Sequence, residues 1–149
     1  MLWKPHVTVA AVIERNNRFL IVEEESDGQQ VYNQPAGHLD EGESLSNAVI
    51  RETLEETAWS FIPEALVGIY RWQNSGNSNT YLRICFTGYC AEHDPERRLD
   101  EGIIQALWLS RGELIATGRL RSPMVLRCID DYIAGARYPL ALLNDLDNT

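Results

Sequence analysis

The sequence predicts an α+β fold in which helices flank a mixed β-sheet. Short β-rich runs and helical patterns follow one another along the 149 residues. Strands stand on both sides of the first helix without a strict βαβ alternation, which favours a mixed sheet over an all-parallel one. No repeat, low-complexity tract or linker-like segment interrupts this pattern. We therefore expect one domain over residues 1–149, a length that can bury a substantial core.

The predicted strands are apolar runs bounded by turn residues. Five runs qualify: residues 6–14, 18–25, 65–73, 80–90 and 103–109. The turn-forming residues 15–17 separate the first two runs, so a hairpin is expected there. Pro35 and Gly37 should end any strand and begin a loop.

Three helices are predicted, over residues 44–58, 110–117 and 123–135. Ser110 and Glu113 have the spacing of a capping box, which opens the second helix. Ser122 precedes Pro123, so an N-cap stands directly before a proline in the first turn of the third helix.

Composition limits the classes of function. The net charge of −9 argues against a surface that coats DNA or RNA, although a bound cation could still reverse the charge of a local phosphate site. No window resembles a signal peptide or a membrane span. Cys85, Cys90 and Cys128 lack any CxxC spacing, so we expect buried, reduced thiols and a cytoplasmic location.

The first predicted helix carries the candidate chemistry. Leu45, Ala48 and Val49 form an apolar stripe at helical spacing, and Glu52 and Glu56 continue the same stripe. Carboxylates crowded on a partly covered face repel one another unless they are protonated or neutralised. A hard cation such as Mg²⁺, which prefers oxygen ligands, would remove that conflict.

Arg51 lies one helical turn before Glu55 and can hold its carboxylate at i,i+4 spacing. Spacing alone leaves two interpretations open. The helix either presents a metal-binding cluster or is a solvated surface helix with ordinary i,i+4 ion pairs.

Residues 37–59 resemble the signature box of the Nudix hydrolases. Gly37, Glu43 and the run Arg51-Glu52-Thr53-Leu54-Glu55-Glu56 stand at the spacings of that box. Thr53 and Ala58 depart from it, because the family prefers an aliphatic residue and a glycine there. Four further segments resemble the NudJ-type phosphatases of the same superfamily: KPHVTVA (4–10), YNQPAGHL (32–39), LRSP (120–123) and RYPL (137–140).

The resemblance implies the Nudix α/β/α sandwich and a Mg²⁺-dependent site, in which Mn²⁺ could substitute. The carbonyl of Gly37 with Glu52 and Glu56 would ligate the metal, and Glu55 would complete the cluster directly or through water. Arg51 would orient Glu52 or Glu55, supported by Glu43. Glu52, Glu55 and Arg51 are thus also the catalytic candidates.

A catalytic acid or base from outside the box is also expected, because Nudix enzymes often use one. Asp100 and Glu101 are the candidates, with Glu101 favoured; an ordinary acidic loop is the alternative.

The predicted substrate contacts are Arg83, Arg71, Trp72 and His6. Arginines on strands could instead face solvent, and core packing could explain the aromatic residues, including Trp3, Tyr32 and Tyr70, without a ligand.

Three classes of function follow. The first is a phosphoanhydride hydrolase that acts on nucleoside tri- or diphosphates or a related small diphosphate. The resemblance adds the thiamine-precursor pyrimidine diphosphate as a candidate substrate. ADP-ribose or another nucleoside-diphosphate derivative is an alternative. The second is a nucleotide-sensing module without catalysis, and the third is a structural domain with a solvated acidic helix. The complete set of box acids favours the first. The sequence leaves the substrate, the phosphate released and the choice between monomer and homodimer open.

Overall fold

The computed structural model describes residues 2–147, which form eight strands and three α-helices within that range. The strands are β1 (His6–Val12), β2 (Glu14–Arg15), β3 (Arg18–Ser26), β4 (Gln29–Asn33), β5 (Ala36–His38), β6 (Trp59–Gln73), β7 (Thr80–His93) and β8 (Ile103–Leu109). The helices are α1 (Leu45–Thr57), α2 (Arg111–Ala116) and α3 (Pro123–Ile133). Met1, Asn148 and Thr149 of the predicted 1–149 domain lie outside the described residues, and a single domain over that range stays a prediction.

The strands form two four-stranded sheets. The first has the order β5-β1-β7-β6 and is mixed, because β1 runs parallel to β7 while the β1–β5 and β6–β7 pairs are antiparallel. In the second sheet β3 pairs antiparallel with β2, β4 and β8. The predicted class, mixed β-structure flanked by helices, is confirmed.

The predicted hairpin between residues 6–14 and 18–25 is wrong in its partners. Asn16 and Asn17 do form a turn, with φ of 53° and 61°, but it joins only β2 to β3. β1 instead lies between β5 and β7 in the other sheet. The turn is encoded locally and was predictable, whereas the long-range partners of a strand are not encoded by the turn beside it.

β6 and β5 also differ from the predictions. β6 begins at Trp59, six residues before the predicted start, and accommodates Pro63 through irregular register with β7. The segment expected to be a loop contains β5, in which Gly37 lies opposite Val9 of β1. A glycine within a strand often marks a place where another group approaches the backbone closely.

The first sheet is packed on both faces. Val9 and Ala11 of β1 contribute to a core cluster that includes Val49 of α1. Ala10 of β1 contributes to a second cluster that includes Ile129 of α3. Because successive strand residues point to opposite faces, this alternation places α1 and α3 on opposite sides of the sheet.

The three cysteines are buried and form no disulfide, as expected from their spacing. Among residues 2–147, no helix is long and apolar enough to cross a membrane.

Candidate active site

The ends of α1 place the acidic residues. Ser44 caps the first turn through a hydrogen bond from the amide of Asn47, and Ala58 ends the helix in the left-handed region with φ of 62°. Between them, Ala48 and Val49 are fully buried and Glu56 is only 7% exposed. The stripe that the sequence predicts on this helix therefore ends in the buried carboxylate of Glu56.

Arg51 connects four groups around the helix. Its guanidinium donates to both carboxylate oxygens of Glu43, at 2.9 and 2.7 Å, and to the carbonyl of His38 at 3.1 Å. Its Nη1 donates to Oε1 of Glu52 at 2.8 Å and to Oε1 of Glu55 at 2.9 Å. The hydrogen bonds from Arg51 lower the pKa of Glu43 to about 2. Arg51 thereby fixes one oxygen each of Glu52 and Glu55.

Burial is the largest influence on the pKa values of Glu52 and Glu56. It raises the pKa of Glu52, although the hydrogen bond from Arg51 opposes that effect. Burial also raises the pKa of Glu56 well above its ordinary value, and the nearby carboxylate of Glu24 adds to the effect. Oε1 of Glu56 accepts a hydrogen bond from the Ala36 amide at 2.9 Å. Both acids therefore lie where a cation would relieve unfavourable negative charge.

Gly37 allows β5 to lie against this cluster. A Cβ atom built on Gly37 would collide with the carboxylate of Glu52. A side chain there would force the Glu52 carboxylate, which Arg51 holds, to move, so the glycine permits the close approach of the β5 backbone to Glu52.

Asp100 joins the cluster from the loop before β8. One carboxylate oxygen each from Glu52, Glu55 and Asp100 lies within 4.8 Å of the others. The Asp100 amide donates to the carbonyl of Glu55 at 3.0 Å, which ties the loop to α1. The structure places Asp100, and not the favoured Glu101, in this group. Three converging carboxylates with one fixed guanidinium fit a hard divalent cation.

A cavity of about 870 Å³ opens beside the cluster. Gly37, Glu52 and Glu56 line it together with Arg83 and Trp72. These two predicted substrate contacts therefore share a cavity with three of the predicted metal ligands.

The other two predicted substrate contacts lie elsewhere. Arg71 is exposed and lines a separate, largely apolar cavity of about 830 Å³ beside α3. His6 is not among the described residues that line the carboxylate cavity, but its ring stacks on Tyr81, with centroids 5.0 Å apart. Tyr81 lines that cavity and stacks in turn on Trp72 at 5.7 Å. His6 therefore contacts Tyr81, a residue that lines the cavity.

The remaining aromatic candidates have other contacts. Trp3 is 69% exposed, Tyr32 is buried, and the hydroxyl of Tyr70 donates to Asp131 at 2.7 Å. None of these three is among the described residues that line the carboxylate cavity.

Four lining or supporting residues were not predicted from the sequence. Glu24 and Arg121 line the cavity and form an ion pair. Asn33 and Gln34 are uncharged, and their side-chain oxygens accept hydrogen bonds from Arg83. The LRSP segment that contains Arg121 was part of the resemblance. Glu24 stood in a run of three glutamates, a pattern typical of a solvated strand edge.

Comparisons with known proteins agree with this geometry. A family model described as NUDIX domain matches residues 4–127. Phosphatase NudJ of Escherichia coli strain K12 is 37% identical over 146 residues, which cover 98% of this chain and 95% of that protein. Phosphatase NudJ of Shigella flexneri matches to the same extent. A NUDIX hydrolase structure from Nitrosomonas europaea has a TM-score of 0.96 and 51% identity, with 98% of this chain and 100% of that chain covered.

Proposed function

This chain belongs to the NUDIX domain family and is a phosphoanhydride hydrolase, and we propose that it uses Mg²⁺ to act on nucleoside di- or triphosphates or a related small diphosphate. One observation carries the proposal: one carboxylate oxygen each of Glu52, Glu55 and Asp100 lies within 4.8 Å of the others, and Glu52 also lines the cavity that the buried Arg83 lines. The carboxylates suit a cation, and the guanidinium of Arg83 suits an anionic substrate.

The residues that would hold Mg²⁺, or Mn²⁺ in its place, are Glu52 and Glu56 with the carbonyl of Gly37 and the nearby Glu55. A divalent ion there would supply charge to the phosphate oxygens and acidify a water. Apart from that, the chain itself performs three tasks. Arg51 positions two carboxylates, Glu56 contributes negative charge from a buried position, and the cavity wall orients the substrate.

Proton removal from the attacking water falls to a carboxylate of the cluster. Glu55 is our first candidate, because Arg51 fixes its carboxylate and one of its oxygens lies in the carboxylate group. Asp100 is the candidate from outside the box, because its oxygen lies in the same group. Glu101 remains a candidate only through movement of its loop.

The relatives support release of orthophosphate, because the curated matches from Escherichia coli and Shigella flexneri are named phosphatases. A pyrophosphatase acting on ADP-ribose or a similar compound is the second candidate within the class. The complete set of box acids opposes a purely sensory role. Three buried, unpaired thiols support a reducing compartment such as the cytoplasm.

The test is a release assay over nucleoside tri- and diphosphates, ADP-ribose and the thiamine-precursor pyrimidine diphosphate, with Mg²⁺ and with products identified by mass. Glu56→Gln should reduce turnover at least about 100-fold, whereas the exposed Glu41→Gln is the matched control and should retain it. If a nucleotide binds but no divalent metal supports release, the sensory alternative replaces this proposal. Near-wild-type turnover in Glu56→Gln would refute the metal assignment.

A further inference from the structure

Part of the outer edge of β6 has no partner strand. β6 is the last strand of its sheet, and at this edge Leu66 exchanges two backbone hydrogen bonds of 2.8 Å with Tyr138. Over residues 69–73, no described residue pairs with the same edge. An exposed strand edge presents N–H and C=O groups to which another extended segment can add.

A cavity of about 830 Å³ follows this edge. The consecutive residues 66–72 of β6 line it, together with Met124 of α3. Tyr138 and Leu142, which come after α3 in the chain, line it as well. A segment that adds to the free edge of β6 would therefore lie in this cavity.

The two faces of the edge differ in character. The hydroxyl of Tyr70 donates to Asp131 of α3 at 2.7 Å, so Tyr70 lies on the α3 face of the sheet. Arg71 is the next residue and therefore points to the opposite face. Arg71 is exposed and forms no ion pair with another described residue. An added strand should therefore direct an apolar side chain toward the α3 face and acidic side chains toward Arg71.

The C-terminal segment of the chain has this alternation. Residues 144–147 are exposed and lie outside any helix or strand. Leu146 stands between Asp145 and Asp147 and, at 89%, is the most exposed large hydrophobic residue of the described chain. In an extended segment, neighbouring side chains point to opposite faces. Leu146 would therefore face the apolar side of the cavity, while the two aspartates would face Arg71.

We propose that residues 145–147 of a second copy of this chain add to the free edge of β6, and that the exchange is reciprocal, so that the protein forms a symmetric dimer. Leu142 lines the cavity and comes three residues before Asp145, so a partner that inserts its segment also brings its own cavity close. Direct pairing of two β6 edges is less favourable, because it brings the like charges of two Arg71 side chains together. The chain's own segment leaves the cavity open, since Leu146 is exposed.

Sedimentation equilibrium of the full chain, at about 5–500 µM, tests the proposal. Two short segments bury less surface than the roughly 1,600 Å² of a standard interface, so we expect a monomer–dimer equilibrium with a Kd of about 1–100 µM. Leu146→Asp should weaken association at least about tenfold, because the apolar contact is lost. Leu2→Asp changes another exposed leucine and is the matched control, which should associate like the wild type.

A reversal of charge tests the contact between the segment and the strand. Arg71→Glu alone should weaken association at least about tenfold, and so should Asp145→Arg combined with Asp147→Arg, because each change places like charges opposite each other. An equimolar mixture of the two proteins should associate about as tightly as the wild type. In that mixed dimer, both exchanged segments again meet a strand of opposite charge.

Four outcomes would overturn the proposal. A wild type that stays monomeric over the whole range would exclude the dimer, and a Leu146→Asp protein that associates like the wild type would place the contact on another surface. Unchanged association of the double aspartate variant would favour direct pairing of the β6 edges. A mixture that does not associate would remove the contact of Arg71 with the aspartates. All variants replace exposed side chains, and circular dichroism verifies that they are folded.

Discussion

Two buried threonines on α1 should respond in opposite ways to the same substitution: we expect one to gain and the other to lose stability. Thr53 and Thr57 are 0% and 1% exposed, one helical turn apart. The hydroxyl of Thr53 has no hydrogen-bond partner among the described residues. The hydroxyl of Thr57 donates to the carbonyl of Thr53 at 2.6 Å and accepts from the amide of Trp59 at 3.1 Å. Replacing each threonine with valine keeps its shape and removes only its hydroxyl.

A buried hydroxyl without a partner costs about 1–3 kcal/mol, and the helix propensities of threonine and valine are similar. Thr53→Val should therefore increase the free energy of unfolding by about 1 kcal/mol or more, which raises Tm by roughly 2–4 °C per kcal/mol for a chain of this size. Thr57→Val loses two satisfied hydrogen bonds and should lower stability by about 1–3 kcal/mol.

The assay is urea unfolding followed by circular dichroism, with Tm from calorimetry as a second measure. The m-value should stay the same in both variants, so that a shift of the midpoint reports stability. A Thr53→Val protein that is less stable than the wild type would refute the reasoning. It would mean that the hydroxyl has a partner such as a buried water, and that Thr53 is tolerated in the box for that reason.

Three further predictions concern the carboxylate cluster. Asp100→Asn should lower kcat at least about tenfold and alter the pH–rate profile, because Asp100 lies in the cluster. Glu101→Gln should leave both kcat and the profile unchanged. The reverse pattern would favour Glu101, as the sequence did. Burial raises the pKa of Glu56 in the folded chain, so the folded state holds this proton more tightly than the unfolded state, and metal-free protein should lose stability as pH rises above the unfolded value of about 4.5. The Tm of Glu56→Gln should therefore exceed that of the wild type at pH 8 in EDTA, and the two Tm values should be equal near pH 4. A lower Tm of the variant at pH 8 would contradict the argument that burial disfavours the charged carboxylate. Arg51→Lys should reduce kcat more than it raises KM, because a lysine cannot hold Glu43 through two parallel hydrogen bonds while also fixing Glu52. Unchanged values of kcat and KM would show that this geometry is not required.

Local signals account for what the sequence predicted well. The caps at Ser110 and Ser122 and the start of the third helix at Pro123 depend on residues within one turn, and the structure contains each of them. The inward line of carboxylates on α1 likewise follows from spacing within a single helix.

Contacts between distant segments account for what the sequence left open. From the sequence, Arg83 could equally be a strand arginine that faces solvent. Only the structure shows that it is bound by Asn33 and Gln34, about 50 residues earlier in the chain. Asp100 and Glu101 are adjacent in the sequence, and only the docking of their loop onto Glu55 distinguishes them. Such choices depend on tertiary packing, which residue patterns do not encode.

The position of β1 has a consequence for the order of folding. His6 pairs with Tyr81 and Val12 with Thr87, about 75 residues later along the chain, and pairing over such a separation is slow because a long loop must close first. β5, which brings Gly37 against Glu52, is held to the first sheet by β1. Asp100 of the carboxylate cluster also lies in the later part of the chain, so we expect the complete site to form only after the chain from residue 80 onward has folded back. In a refolding experiment, enzymatic activity should return later than helical circular dichroism.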